Sequence, residues 1–239
     1  MFATAYDDAV RALAIDPVDE GALDGLVQAA VMTGRFPEAL STLNAIAAKG
    51  PETAPVLIAR SKILAATGSQ DDAVMAARTA GRVAPGSVDA AEQLASLYSD
   101  TGKIADLEEA VATLRRIAPD RAPTLYYAAA LSFLHQQFAD AVTLASRAVA
   151  ADPNYAAVYD LAGAAHLKLG DFEAARAAFE TSLRYNAHDS SAYANLGLIE
   201  LAAKSGDRAV RNFAEALWLD PESETAREGL AQARSRAIE

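Results

Sequence analysis

The sequence of 239 residues contains no cysteine. This absence excludes disulfide bonds, thiolate metal sites and a cysteine nucleophile. Aromatic residues are also scarce, at 7% of the chain, although hydrophobic residues make up 52%. The apolar content is therefore carried largely by alanine and leucine, which favour helix over strand, and it is ample for a buried core.

Positive charge is in short supply as well. The chain has 21 lysine and arginine residues against 32 aspartate and glutamate residues, which gives a formal net charge of −11. Such a charge opposes attraction to nucleic acid and to anionic membrane surfaces. There is no apolar run long enough to span a bilayer, and the first eight residues lack the features of a signal peptide. We expect a soluble, cytoplasmic protein that binds no nucleic acid and does not insert into membranes; the periplasm stays open if the chain is a fragment.

Residues arranged for catalysis are missing too. The three histidines, His135, His166 and His188, share no spacing that would bring them to one metal ion. Neighbouring carboxylates such as Asp71 and Asp72 point in different directions on a helix, so they do not form an acid and base pair. The glycines are spread along the chain and form no phosphate-binding loop. The sequence therefore predicts no enzyme, no cofactor and no metal.

Proline, by contrast, recurs at a regular interval. Prolines separated by multiples of 34 residues stand at Pro17, Pro51, Pro85, Pro119, Pro153 and Pro221. A second series, offset by 17 residues, consists of Gly34, Gly68, Gly102, Gln136, Gly170 and Lys204. Proline interrupts helices, and glycine takes the left-handed conformation that ends them. Each period is therefore predicted to be a helix, a glycine turn, a second helix and a proline turn.

Helix starts are marked in the same register. The side chains predicted to cap the helix after each proline are Asp19, Thr53, Ser87, Asp120, Asn154, Asp189 and Ser223. Between these stops, small and apolar residues recur at helical three-and-four spacing. Nothing in the chain is typical of a strand. The fold class predicted from the pattern is all-α.

Further residues repeat within this register. The sixth full period carries Tyr193, Leu196, Gly197, Ala209, Phe213, Ala216 and Pro221, and the fifth carries Tyr159, Gly163, Ala175 and Phe179. This arrangement resembles the tetratricopeptide repeat family. Glu200 stands where the family prefers tyrosine, and Arg60 and Ser61 replace its leucine and glycine in the second repeat. The resemblance implies a right-handed superhelical solenoid of helix-turn-helix repeats.

The resemblance covers the whole chain and predicts one continuous array over residues 1–239. A leading helix, or half repeat, occupies residues 1–19, and a capping helix occupies residues 224–239. The six full repeats between them are 20–53, 54–87, 88–121, 122–155, 156–189 and 190–223. The pattern opens in the middle of a repeat, so the chain is either capped by its leading helix or a fragment of a longer protein.

In this family the first helix of each repeat lines a concave groove, which implies a set of partner-binding residues here. The matching positions hold Asp24, Gln28, Ile58, Lys62, Asp89, Glu92, Ser96, Tyr126, Ala130, Phe133, Asp160, Leu167 and Leu198. The early part of this set is acidic and the later part is apolar. For Phe133 and Leu167, burial between successive repeats is an equal alternative. For Tyr126, Ile58 and Leu198, contact with a partner is favoured.

The composition of this groove bears on its partner. Lysine is too sparse for the carboxylate clamp that some family members use. An acidic and apolar groove suits an amphipathic or basic segment of a protein or peptide. We therefore expect a non-catalytic scaffold or adaptor for protein–protein interaction. The alternative is a substrate-recruiting segment of a larger enzyme such as a transferase.

Two residues depart from the pattern. Arg60 occupies a place that normally faces the core; its head is expected to reach a nearby carboxylate, and the alternative is an anchor for an anionic group at the groove. Trp218, the only tryptophan, is expected to pack under the helix after Ser223. The alternative for Trp218 is a self-association patch that makes a homodimer through a terminal helix.

Overall fold

Helices follow one another along the whole described part of the chain. The computed structural model describes residues 2–236, with the side chains of residues 4–235, and no strand occurs within that range. The helices are α1 Phe2–Ile15, α2 Glu20–Thr33, α3 Phe36–Ala47, α4 Ala54–Ala66, α5 Gln70–Val83, α6 Val88–Asp100, α7 Ile104–Ile117, α8 Ala122–Leu134, α9 Phe138–Ala151, α10 Ala157–Leu169, α11 Phe172–Tyr185, α12 Ser190–Ala202, α13 Gly206–Leu219 and α14 Glu224–Arg236. The last three residues of the predicted capping helix lie outside the described range.

The helix bounds follow the 34-residue period. The helices α2, α4, α6, α8 and α12 begin at the first residue of the repeat ranges given above, and α10 begins one residue later, at Ala157. These are the first helices of the repeats, and α3, α5, α7, α9, α11 and α13 are the second helices. None of the described helices is both long and apolar enough to cross a bilayer.

Four of the predicted caps are made. Side-chain oxygens at the starts of α2, α6, α12 and α14 accept hydrogen bonds from backbone N–H groups three residues on; they belong to Asp19, Ser87, Asp189 and Ser223. Thr53 precedes α4 without such a bond. Asp120 and Asn154 are not caps, because α8 and α10 are preceded by Arg121 and Ala156. That part of the prediction is wrong.

The turns between the two helices of each repeat are left-handed. Gly34, Gly68, Gly102 and Gly170 have φ between 64° and 80°. The two non-glycine members of the series adopt the same conformation, with φ of 61° at Gln136 and 57° at Lys204. A side chain in this region is strained by contact between its Cβ and the backbone. The periodic turn is thus imposed on residues that disfavour it.

The chain divides into two compact units, each with its own core. Unit 1 runs to Pro119 and contains α1–α7; unit 2 begins at Asp120 and contains α8–α14. In unit 1 the fully buried large side chains include Leu26, Leu43 and Ile63. In unit 2 they include Phe179 and Phe213. One continuous array over both units stays a prediction.

Two phenylalanine rings in the core of unit 2 each pack against a glycine of the preceding helix. A Cβ atom at Gly163 on α10 would come within 2.9 Å of the Phe179 ring, and one at Gly197 on α12 within 2.6 Å of the Phe213 ring. Neither position has room for a side chain. The ring of the second helix therefore packs directly on the backbone of the first.

Candidate partner-binding surfaces

The first helices of unit 1 carry an ion pair where the groove residues were predicted. Lys62 Nζ on α4 lies 2.8 Å from Asp24 Oδ1 on α2, and both side chains are substantially exposed. Gln28, one turn after Asp24 on α2, is exposed. The Asp24 carboxylate thus neutralises the charge of Lys62, so this ion pair adds no net positive charge to the surface.

Ile58, for which contact with a partner was favoured, is largely buried. Its side chain is 8% exposed and packs with Leu57, Ala80 and Ala90. The reason is that α4 is buried on several faces, since it contacts α2, α3, α5 and α6. Ile58 is accordingly a packing residue that offers little surface to a partner.

The acidic part of the predicted set lies on α6. Asp89 is exposed, whereas Glu92 and Ser96 are half-buried. One turn further along the helix, burial raises the pKa of Asp100, while a hydrogen bond with Ser96 acts in the opposite direction. The face of α6 that carries these residues is acidic and contains no basic side chain.

In unit 2, the predicted groove residues of α8 include aromatic rings, where those of α6 include carboxylates. Tyr126 on α8 is half-buried, and its ring meets those of Tyr127 and Tyr155 edge to face, at centroid distances of 5.0 and 5.4 Å. Phe133, two turns later, makes a similar contact with Phe138 at 5.3 Å. Such edge contacts hold the rings in fixed orientations. Rigid aromatic surface is what protein interfaces favour.

Small and half-buried apolar residues complete this set. Ala130 is 6% exposed, so only a small part of its methyl group reaches the surface. Leu167 on α10 is half-buried and packs against the cluster around Phe179, and Leu198 on α12 packs in the same way against the cluster around Phe213. Each leucine therefore contributes to the core while part of it stays exposed.

Asp160 on α10 is the electrostatically unusual residue of the set. Burial raises the pKa of Asp160 to about 7; a hydrogen bond from the buried Ser182 opposes this increase, and the nearby charge of Asp189 adds to it. Asp189 also caps α12, where it accepts a hydrogen bond from Ala192 N at 3.0 Å. Two carboxyl groups from successive repeats thus lie near each other, and around neutral pH Asp160 carries its proton part of the time.

The two departures from the repeat pattern have opposite outcomes. Arg60 reaches a carboxylate, as expected: its Nη2 donates to Glu52 Oε1 at 2.7 Å, and its Nη1 donates to Asn44 Oδ1 at 2.5 Å. Trp218 does not pack under α14; its side chain is 72% exposed. The packing prediction for Trp218 is therefore wrong.

One feature of unit 1 was missed at the sequence level. A cleft of about 480 Å³ lies between α5, α6 and α7. Arg78 crosses it, since its Nε donates to the Tyr98 hydroxyl and its Nη2 to Asp106 Oδ1, both at 2.9 Å. The sequence held one indication of this cleft, because Tyr98 stands where the family prefers tyrosine. Because Arg78 is paired on both sides, its charge is satisfied within the protein.

The histidine and carboxylate side chains also bear on whether the chain has a metal site. Among the residues described, no cluster of three or more histidine, aspartate or glutamate side chains is arranged to hold a metal ion. His166 instead lies 3.3 Å from Asp171, the residue that caps α11.

Comparison with known families identifies the repeats. Two models of the tetratricopeptide repeat match the chain, one over residues 48–154 and the other over residues 132–197. The chain belongs to the tetratricopeptide repeat family. None of the curated proteins compared with the chain matches its sequence.

Solved structures confirm the fold class, an all-α solenoid of helix-turn-helix repeats. The Cut9–Hcn1 hetero-tetramer of the APC/C aligns over 98% of this chain, with a TM-score of 0.84 and 19% identity. A tetratricopeptide repeat protein from Parabacteroides merdae aligns over 98%, with a TM-score of 0.72 and 16% identity. The chain spans 46% of the matched chain in the first structure and 92% in the second.

A further structure concerns peptide binding. YrrB, described as a tetratricopeptide repeat protein with an unusual peptide-binding site, aligns over 78% of this chain and 96% of its own, with a TM-score of 0.50 and 14% identity. At such identities the likeness extends to the fold alone. Tetratricopeptide repeats are protein–protein interaction scaffolds, and proteins of this fold are generally non-catalytic.

Proposed function

We propose that this tetratricopeptide repeat protein holds an amphipathic, basic segment of a partner protein on the first helices of its repeats. The family supports the general role of a scaffold. The finer proposal is carried by one observation in unit 2, where α8 and α10 each carry a row of small and larger residues on one face, and the α10 row includes the Asp160 carboxyl group.

The rows follow from helical geometry. Residues at four- and three-residue steps share one face of a helix, and such steps separate Tyr126, Ala130 and Phe133 on α8. Asp160, Ala164 and Leu167 occupy the equivalent places on α10. The middle residue of both rows is alanine, flanked by larger side chains. Alanine between larger side chains leaves room for the apolar side chains of a helix or an extended segment.

Charge supports a basic partner. Asp160 and Asp189 lie near each other in unit 2, and in unit 1 Asp89 and Glu92 lie on one helix with no basic residue. A lysine or arginine placed near Asp160 would favour its charged form and would be attracted to it. The same surfaces would repel an acidic segment, so charge contributes to specificity as well as to attraction.

Isothermal titration with designed helical peptides tests this proposal. The probe is an amphipathic peptide with leucine on one face and lysine on the other, and its matched control carries glutamate in place of lysine. We expect the lysine peptide alone to bind, and Tyr126→Ala to weaken its binding about 5- to 30-fold, as truncation of an aromatic anchor commonly does.

One control and one further variant make the result specific. Thr143→Ala changes an exposed residue of the second helix α9 and should leave the affinity unchanged. Asp160→Asn should weaken the lysine peptide without restoring the glutamate peptide. Equal binding of both peptides, or equal effects of the α8 and α9 substitutions, would remove unit 2 as the binding surface.

A further inference from the structure

Glu200 on α12 is a buried carboxylate held between two arginines of neighbouring helices. Its side chain is 5% exposed. Its Oε1 lies 3.3 Å from Arg176 Nε on α11, and its Oε2 lies 3.3 Å from Arg208 Nε on α13. Neither Arg176 Nε nor Glu200 Oε2 has a partner with hydrogen-bond geometry. The three groups are held together mainly by charge attraction.

Both arginines are oriented by a second contact. Arg176 Nη1 donates to Glu173 Oε1 at 2.8 Å, one turn earlier on α11. Arg208 Nη2 donates to Ser205 Oγ at 3.2 Å, just before α13. With Glu173 included, the cluster contains two positive and two negative charges. It is therefore neutral as a whole, which reduces the cost of burying Glu200.

The position of Glu200 makes the arginines necessary. It lies in the last turn of α12, where the negative end of the helix dipole disfavours a carboxylate. At the equivalent place of the third repeat, Tyr98 accepts a hydrogen bond from Arg78 of the preceding second helix. Unit 2 thus replaces a neutral acceptor with a charged one. A buried charge that loses its partner costs far more than a neutral group in the same place.

We propose that Arg176, Glu200 and Arg208 form a charge lock that controls how readily α12–α14 open away from α11. Individual repeats of an array can unfold locally while the remaining repeats stay folded. The lock links the fifth repeat to the sixth, because Glu200 bridges from α12 to α11 and to α13. On the proposed function, α12 contributes Leu198 to the partner-binding surface. Opening at the charge lock would therefore remove this part of the surface.

Hydrogen exchange measured by mass spectrometry tests the lock on the full chain. In Glu200→Gln we expect the amides of α12–α14 to exchange on the order of 10- to 100-fold faster, because Arg208 loses its counter-charge and Arg176 keeps only the exposed Glu173. The amides of α8 and α9 should exchange as in the wild type. Glu215→Gln, an exposed substitution on α13, is the matched control and should change neither region.

A double-mutant cycle separates charge attraction from packing. Arg176→Gln alone should also accelerate exchange in α12–α14. The double variant with Glu200→Gln should show a much smaller effect than the sum of the two single effects, since it leaves neither member of this pair without the other. Glu200→Tyr provides a variant with the family's own residue and should be folded with intermediate protection. Additive effects in the cycle, or equal acceleration in α8 and α9, would overturn the lock.

Discussion

Gly229 on α14 lies so close to the ring of Phe213 on α13 that a Cβ atom at this position would overlap the ring. We expect Gly229→Ala to destabilise unit 2 by about 1–3 kcal/mol, as overpacking of a well-filled core does. Urea unfolding followed by circular dichroism measures this change. Gly206→Ala on α13 is the control: nothing lies within 4 Å of a Cβ there. It should be neutral or slightly stabilising, and an equal loss in both variants would argue against the ring contact.

The left-handed turn residues lead to a prediction of opposite sign. Lys204→Gly should stabilise the protein by about 0.5 kcal/mol, since relief of Cβ strain exceeds the entropic cost of glycine. Gly170→Ala, at the same turn of the preceding repeat, should destabilise it by about 1 kcal/mol. Thermal unfolding of both variants checks the pair. Changes of the same sign at the two turns would contradict the strain at Lys204.

Asp160 should make stability depend on pH near neutrality. Its pKa of about 7 in the folded protein exceeds the ordinary value of 3.8, so the folded state holds the proton more tightly than the unfolded chain. The associated stability is present below pH 3.8 and is lost as the pH rises toward 7. Asp160→Asn should therefore be more stable than the wild type at pH 8, by about 1 kcal/mol after solvent screening, and the gain should shrink at pH 5.

Urea titrations at the two pH values measure this difference. Glu215→Gln, which removes an exposed carboxylate from α13, is the matched control for the loss of one negative charge. A gain for Asp160→Asn that is the same at pH 5 and pH 8 would assign the effect to the amide itself rather than to titration.

The contact between Arg60 and Glu52 should contribute to the stability of the folded protein. Their side chains are 20% and 36% exposed, so the pair is only partly screened by solvent. A double-mutant cycle with Arg60→Leu and Glu52→Gln should give a coupling of about 1 kcal/mol. Peptide affinity should not change in either variant. Lost binding in Arg60→Leu would instead support an anchor at the groove.

The exposed Trp218 keeps the self-association hypothesis open for test. If two copies associate through this residue, light scattering should show a larger particle at high concentration. Trp218→Lys should then be monomeric with unchanged stability, because the side chain makes little contact within its own chain. A wild type that stays monomeric at high concentration would end this hypothesis.

The periodic stops of the sequence were enough to predict the helices. Residues such as Gly34 and Pro51 act through local backbone geometry, which depends on the residue itself and its immediate neighbours. The caps were less predictable, as Asn154 shows. Tyr155 N donates to Asp152 O, and the Tyr159 hydroxyl donates to the Pro153 carbonyl group, so the chain makes an extra turn before α10 begins. That turn is stabilised by a residue further along the chain.

The surface was harder to predict than the helices. Trp218 follows Ala216, a core residue of α13, by two positions, which is about 200° around the helix and therefore on the outer face. That calculation was available from the sequence. The proximity of Asp160 to Asp189 was not, because the two positions are 29 apart, with the rest of α10 and all of α11 between them. Their electrostatic coupling depends on how α10, α11 and α12 pack, and a pattern within one helix does not contain that information.

The exposure of Trp218 also provides an intrinsic optical reporter. As the only indole in the protein, it accounts for the tryptophan fluorescence of the sample. With 72% of its side chain in contact with water, it should emit at long wavelength and be quenched readily by iodide or acrylamide. Any molecule that covers the outer face of α13 should shift this emission to shorter wavelength and shield it from the quencher. Occupancy of that face can thus be followed without a label.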